Sequence, residues 1–138
     1  MARYLAVAHK TAESPAFLEA VAAIVADDPD AEFVLVVPAT PVEHVEGWTS
    51  GEAETRAKER AVEAAKRLEA IGAFVTNARA GDAHPYEAVL DALREGPFRR
   101  VVVSTLPPGA SAWLRMDVIN RLRRTVDIPI THVVGTEP

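Results

Sequence analysis

Short apolar runs alternate along this chain with stretches in which apolar residues recur every three or four positions. Tyr4-Leu5-Ala6-Val7-Ala8 is a continuous apolar run that ends at the polar His9-Lys10-Thr11, the pattern of a buried strand feeding a loop. Ser14-Pro15 then supplies an N-cap and a proline at the first helical position, and Phe17, Leu18, Val21, Ile24 and Val25 share a helical face up to Asp28-Pro29. Phe33-Val34-Leu35-Val36-Val37, stopped by Pro38, predicts a second strand apolar enough to be covered on both faces, and therefore central. After an irregular stretch over 39–48, Thr49 and Glu52 have capping-box spacing. Ala53, Ala57, Ala61, Ala64, Ala65, Leu68 and Ile71 mark one face of the long helix that follows. Its other face sets Glu52 against Arg56, Glu54 against Lys58 and Glu63 against Arg67, each pair four residues apart, as a solvated face does.

Gly72 ends that helix, and Ala73-Phe74-Val75-Thr76 begins a third strand running toward Gly81 whose weaker hydrophobicity predicts a sheet edge. Pro85 opens a third helix with Val89, Leu90 and Leu93 facing inward, and Gly96-Pro97 stops it before a fourth strand at Arg100-Val101-Val102-Val103. Trp113, Leu114, Val118, Ile119 and Leu122 outline a fourth helix, and a last strand runs from Ile130 to Val134. Strands alternating with helices throughout predict an α/β fold, a doubly wound three-layer sandwich around a parallel sheet, in one domain over 1–138.

Charge narrows the function classes. Fifteen Lys and Arg against twenty Asp and Glu give a formal charge of -5, which disfavours nucleic acid and anionic membrane surfaces as partners. No apolar run approaches the roughly 20 residues of a bilayer span, and the N-terminus lacks a secretory pattern, so the cytoplasm is the expected location. With no cysteine there is no disulfide framework, thiol nucleophile or thiolate metal site.

The first strand ending at a small polar loop, the Gly81-Asp82 turn with Pro85 before the third helix, and Ile128-Pro129-Ile130 leading into the last strand together resemble a universal stress protein domain of the UspA type over essentially the whole chain. The resemblance implies a five-stranded parallel sheet of order 3-2-1-4-5, as in adenine nucleotide alpha hydrolase-like and flavodoxin-like folds. Its crevice lies between the carboxyl ends of strands one and four. Many members bind ATP there through a loop of the form Gly, two residues, Gly, nine residues, Gly, then Ser or Thr. Aligned back from Pro129, those positions fall on Val103, Leu106, Met116 and Asp117, and all four depart from the pattern. Side chains in place of glycine restrict the backbone and block its approach to phosphate, Pro107 and Pro108 remove two amide donors, and Asp117 adds an anion. His9 also stands where relatives carry an aspartate. No cofactor is expected, and the loop sequence disfavours ATP. Members commonly pair along strand five, which implies a homodimer through Ile130, Thr131, His132, Val133 and Val134.

His9, His44 and His84 follow strands one, two and three and so start on one rim; they are weak metal candidates, with Asp82 or Glu43 to complete a shell. No pair has the short spacing of strong metal motifs, and the expectation is no metal. His132 alternates with Ile130 and Val134 and reads as a satisfied sheet or interface residue. The crevice candidates for a small polar ligand are His9, Lys10, Thr11, Val37, Gly81, Ser104, Thr105 and Asp117. Ser104 lies outside a Gly-x-Ser-x-Gly context, with only His9 as a candidate base. Arg115, Arg121, Arg123 and Arg124 form the conspicuous basic patch, read as a solvated helix end, while Trp48 and Trp113 are candidates for interface or core anchors.

The sequence thus predicts a non-catalytic universal-stress-like protein acting through homodimerisation and through binding a protein or a different small ligand. Two other readings stay open. One is ATP or AMP held by an altered loop through Lys10, Thr11, Ser104 and Thr105; the other is a metal- or histidine-dependent enzyme.

Overall fold

The computed structural model describes residues 2–8, 11–39, 50–105 and 112–135, the side chains at 50–53 and 112–117 excepted. Strands β1 (Arg3–Ala8), β2 (Glu32–Pro38), β3 (Phe74–Gly81), β4 (Arg100–Thr105) and β5 (Ile130–Val134) alternate with helices α1 (Pro15–Asp27), α2 (Ser50–Ala70), α3 (Pro85–Leu93) and α4 (Ala112–Thr125). All five strands pair in parallel in the order β3-β2-β1-β4-β5. The fold is the doubly wound α/β sheet that the alternation predicts.

The two faces of the sheet bury two separate cores, and strand alternation decides which residue joins which. Tyr4, Ala6, Phe33, Leu35 and Val37 face α1 and α2, packing on Phe17, Val21, Ala61 and Leu68; Tyr4 and Phe33 stack with ring centroids 5.5 Å apart. Leu5, Val7, Val34, Val36, Val101 and Val103 face α3 and α4, packing on Val89, Ile119 and Leu122. Being apolar on both faces, β1 and β2 lie inside the sheet, whereas β3 has exposed positions along one flank and forms an edge.

Local signals explain where the helices sit. The Ser14 side chain accepts a hydrogen bond from the Phe17 backbone N–H at 3.3 Å, with Pro15 opening the first turn of α1. The buried stripe of α2 is built of Ala57, Ala61, Ala64, Ala65 and Leu68, small residues that bring the helix close to β2 and β3. Ile71 does not continue that stripe: α2 ends at Ala70, and Gly72, at φ 97°, turns the chain so that Ile71 is exposed. In α3 the buried residues are Ala88, Val89 and Ala92, with Leu90 and Leu93 only partly covered; the helix lies nearer the sheet on its alanine side than the leucine spacing predicts. On the solvent face, Glu54 pairs with Lys58 at 3.3 Å as expected, but Glu63 reaches Lys66 and Arg67 instead bridges to Glu13 beside α1. Thr49 and Trp48 lie outside the described residues.

Candidate functional site

The direction of strand addition reverses between β1 and β4, so their carboxyl ends open the crevice where doubly wound sheets hold ligands. Of the residues expected there, His9, Lys10 and Leu106 lie outside the described residues, as does His44 on the neighbouring rim, and the side chains of Met116 and Asp117 are likewise outside them. Thr11, Ser104 and Thr105 are described, and each has a partner.

Thr11 and Ser104 come together from positions 93 residues apart, because the turn after β1 folds over the end of β4. Their hydroxyl oxygens lie 2.6 Å apart, with Thr11 1% and Ser104 6% exposed. The same turn holds Ser14, whose N–H donates to the Thr11 carbonyl at 3.0 Å and whose buried hydroxyl is committed to the α1 cap. Gly135, just past β5, closes over this cluster. Its N–H donates to the Thr105 carbonyl at 2.8 Å, and a Cβ there would collide with the Ser14 hydroxyl and lie 3.3 Å from Thr11 Cβ. The floor of the crevice on the α1 side is therefore a set of short hydroxyls under a glycine, Thr11 and Ser104 bonded to each other and Ser14 to the helix cap. Among the described residues the partner of the Ser104 hydroxyl is another hydroxyl; His9, the candidate base, lies outside them.

Thr105 points to the opposite face, where its hydroxyl lies 2.7 Å from His132 Nε2 on β5. Register brings them together, since His132 pairs with Val103 and Val134 with Thr105. Burial, and then the nearby Arg123 guanidinium, lowers the His132 pKa from its ordinary 6.5, favouring the neutral ring. The sequence alternation marks His132 as a satisfied sheet residue, but the partner depends on strand register, which composition does not carry.

The remaining candidates are dispersed. Val37 is fully buried in the core under α1 and α2. Val103, the first aligned loop position, is a core residue within β4, 3% exposed, rather than part of a loop. Gly81 ends β3 opposite Pro38, two strands from the crevice. His84 is the exposed residue before α3, its N–H donating to the Asp82 side chain at 2.8 Å. Among the described residues no group of three or more acidic or imidazole side chains is placed to hold a metal ion. Nor is any helix there long and apolar enough to cross a membrane. In the basic patch, Arg121 stacks its guanidinium 4.0 Å from the Tyr86 ring and so helps join α4 to α3; the side chains of Arg115 and Trp113 lie outside the described residues.

Comparison with known proteins bears on this geometry through the fold. No family model matches the chain, and no curated protein matches its sequence. Solved structures do. A universal stress protein crystallised in complex with cAMP is 19% identical, with 97% of this chain and 98% of that one covered and a TM-score of 0.63. A universal stress protein from Archaeoglobus fulgidus is 13% identical over 96% and 93%, with a TM-score of 0.64. A universal stress protein family member from Burkholderia pseudomallei is 18% identical over 94% and 93%, with a TM-score of 0.60. The near-complete mutual coverage and the shared five-stranded parallel sheet give this chain the UspA-like fold of the universal stress proteins.

Proposed function

We propose that this chain is a non-catalytic, homodimeric universal-stress-like protein that leaves the family's ATP loop unused and works by association with a second copy and with a protein or small-ligand partner. The observation that carries the reading is the contrast between the two edges of the sheet. The β3 edge is guarded: its pairing with β2 shifts register between Phe33 and Val34, which leaves Thr76 as a bulge, and Arg79 stands in the strand. The β5 edge, Ile130-Thr131-His132-Val133-Val134, has no formal charge, no proline and no register shift against β4, and Val134 is 46% exposed. The bonds from Val101 N–H to the Pro129 carbonyl and from Gly135 N–H to the Thr105 carbonyl set the phase of the ladder. By the alternation of parallel pairing, the backbone groups of Ile130, His132 and Val134 then point away from β4. Such an edge is a template for a second strand, and a twofold axis beside it pairs β5 with itself.

Sedimentation velocity of the wild type and of Val134→Pro tests this. The proline removes an outward donor without touching a bond to β4, so the wild type should sediment as a dimer and the variant as a monomer with unchanged far-UV circular dichroism. A monomeric wild type, or a variant that stays dimeric, would refute the edge-pairing reading.

A second reading, an adenine nucleotide in the crevice, is favoured by one observation: a protein of this fold was solved in complex with cAMP. In this chain the Thr11 and Ser104 hydroxyls bond each other and the Thr105 hydroxyl bonds His132, so a nucleotide would have to displace one of these pairs to use them.

A further inference from the structure

The β5 edge has a register for self-pairing that its ladder with β4 already fixes. Ile130, His132 and Val134 turn their backbone groups outward, while Thr131 and Val133 spend theirs on β4. About a twofold axis, antiparallel pairing must set outward residues against outward residues. An odd shift would face them with residues whose groups are already spent. Of the allowed registers, the one centred on the strand sets Ile130 against the partner's Val134 and His132 against the partner's His132, so that all 5 residues overlap. A slide by two residues in either direction shortens the overlap to three. The axis therefore passes beside His132, with the two His132 Cα atoms about 5.5 Å apart, as in a hydrogen-bonded antiparallel pair.

The sheet continues across such an axis with α4 and its copy on one face. His132 is on that face: it alternates in phase with Ile130, which packs on the core under α3 and α4, and Arg123 of α4 lies near it. The Thr105 hydroxyl, 2.7 Å from Nε2, holds each ring in place. No anion offsets a charge there among the described residues. Val103 and Thr105 adjoin the ring from β4, Ile130 and Val134 flank it on β5, and the charged group that reaches it from α4 is Arg123. Two imidazolium rings facing across the axis, each beside an Arg123, would repel at a separation shorter than the Debye length. Burial, and then Arg123, already favours the neutral ring in the single chain, and pairing strengthens the first effect and adds the charge of the second ring. The paired form thus binds fewer protons than two separate chains, so falling pH favours separation.

We propose that β5 pairs with a second copy in the register that sets His132 against its twin on the twofold axis, and that protonation of this pair of imidazoles separates the dimer. The inference rests on the edge pairing proposed above and adds its register and its control. Two experiments on the full chain test it. The chain has no cysteine, so a single introduced thiol can be bridged only to its twin. His132→Cys should oxidise to a disulfide-linked dimer at least about tenfold faster than Val134→Cys, because a Cα separation of about 5.5 Å suits a disulfide and the two Val134 positions would lie more than about 12 Å apart. In sedimentation velocity, the wild-type dimer Kd should rise at least about tenfold between pH 7 and pH 5 with unchanged far-UV circular dichroism, and that of His132→Gln, which takes up no proton, should stay constant. A wild type that is monomeric at pH 7 overturns the edge pairing and this inference together. Three results overturn this inference alone and leave the edge pairing standing: equal cross-linking at the two positions, a wild-type Kd that does not change with pH, or a His132→Gln dimer as acid-sensitive as the wild type.

Discussion

Replacing Thr11 by Val removes one hydroxyl from a buried pair and takes from the Ser104 oxygen, 6% exposed, the partner that lies 2.6 Å away. Valine keeps the shape of threonine, so the cost is that of an unsatisfied buried hydroxyl, about 1–3 kcal/mol. Ser104→Ala strands the Thr11 hydroxyl, which is 1% exposed, at a similar cost. The double variant leaves no orphan and forfeits only the net worth of one hydrogen bond, about 0.5–1.5 kcal/mol, so the two single effects should greatly exceed additivity. Urea unfolding followed by far-UV circular dichroism on all four proteins gives the coupling energy, expected at 1 kcal/mol or more (about 3–5 °C in Tm for a chain of this size). Effects that add within about 0.5 kcal/mol would refute the pairing, and with it the view that the crevice floor is already satisfied before any ligand arrives.

Gly81→Ala should destabilise by about 1–3 kcal/mol, because its Cβ would meet Val36 Cγ1 at 2.5 Å while its φ carries no strain; Val36→Ala in the same chain should recover part of that loss, and a neutral Gly81→Ala in thermal melts would contradict the contact. His132 gives a pH dependence. Burial, then Arg123, lowers its folded pKa below 6.5, so the unfolded chain takes up the proton first and the stability from the neutral ring is complete above pH 6.5. That contribution is lost as pH falls from 6.5 toward the folded value, and His132→Gln should show a shallower fall in Tm between pH 7 and pH 5 than the wild type; equal slopes would contradict it.

What the sequence carried, and what it did not, divides along physical lines. Strands such as Phe33–Val37 announce themselves because both faces are buried, and Ser14-Pro15 marks the start of α1 because cap and proline act locally. Leu90 and Leu93 misdirect, since spacing alone does not say that α3 rests on its alanines, and Ile71 fits the stripe of α2 although the helix stops one residue earlier. The site was less legible still. The Thr11–Ser104 and Thr105–His132 pairs depend on how a turn folds over a strand end and on β4–β5 register, both set by tertiary packing. Val103 aligns with a loop glycine but serves the core, so restoring glycine there would open a cavity at about 1–3 kcal/mol before it could make a phosphate site.

The most direct test of the central claim is calorimetric titration of the nucleotide-free protein with ATP and magnesium. The account predicts no saturable heat up to about 1 mM, a binding free energy weaker than roughly 4 kcal/mol. One-to-one binding in the micromolar range would contradict it and give the crevice back to a nucleotide.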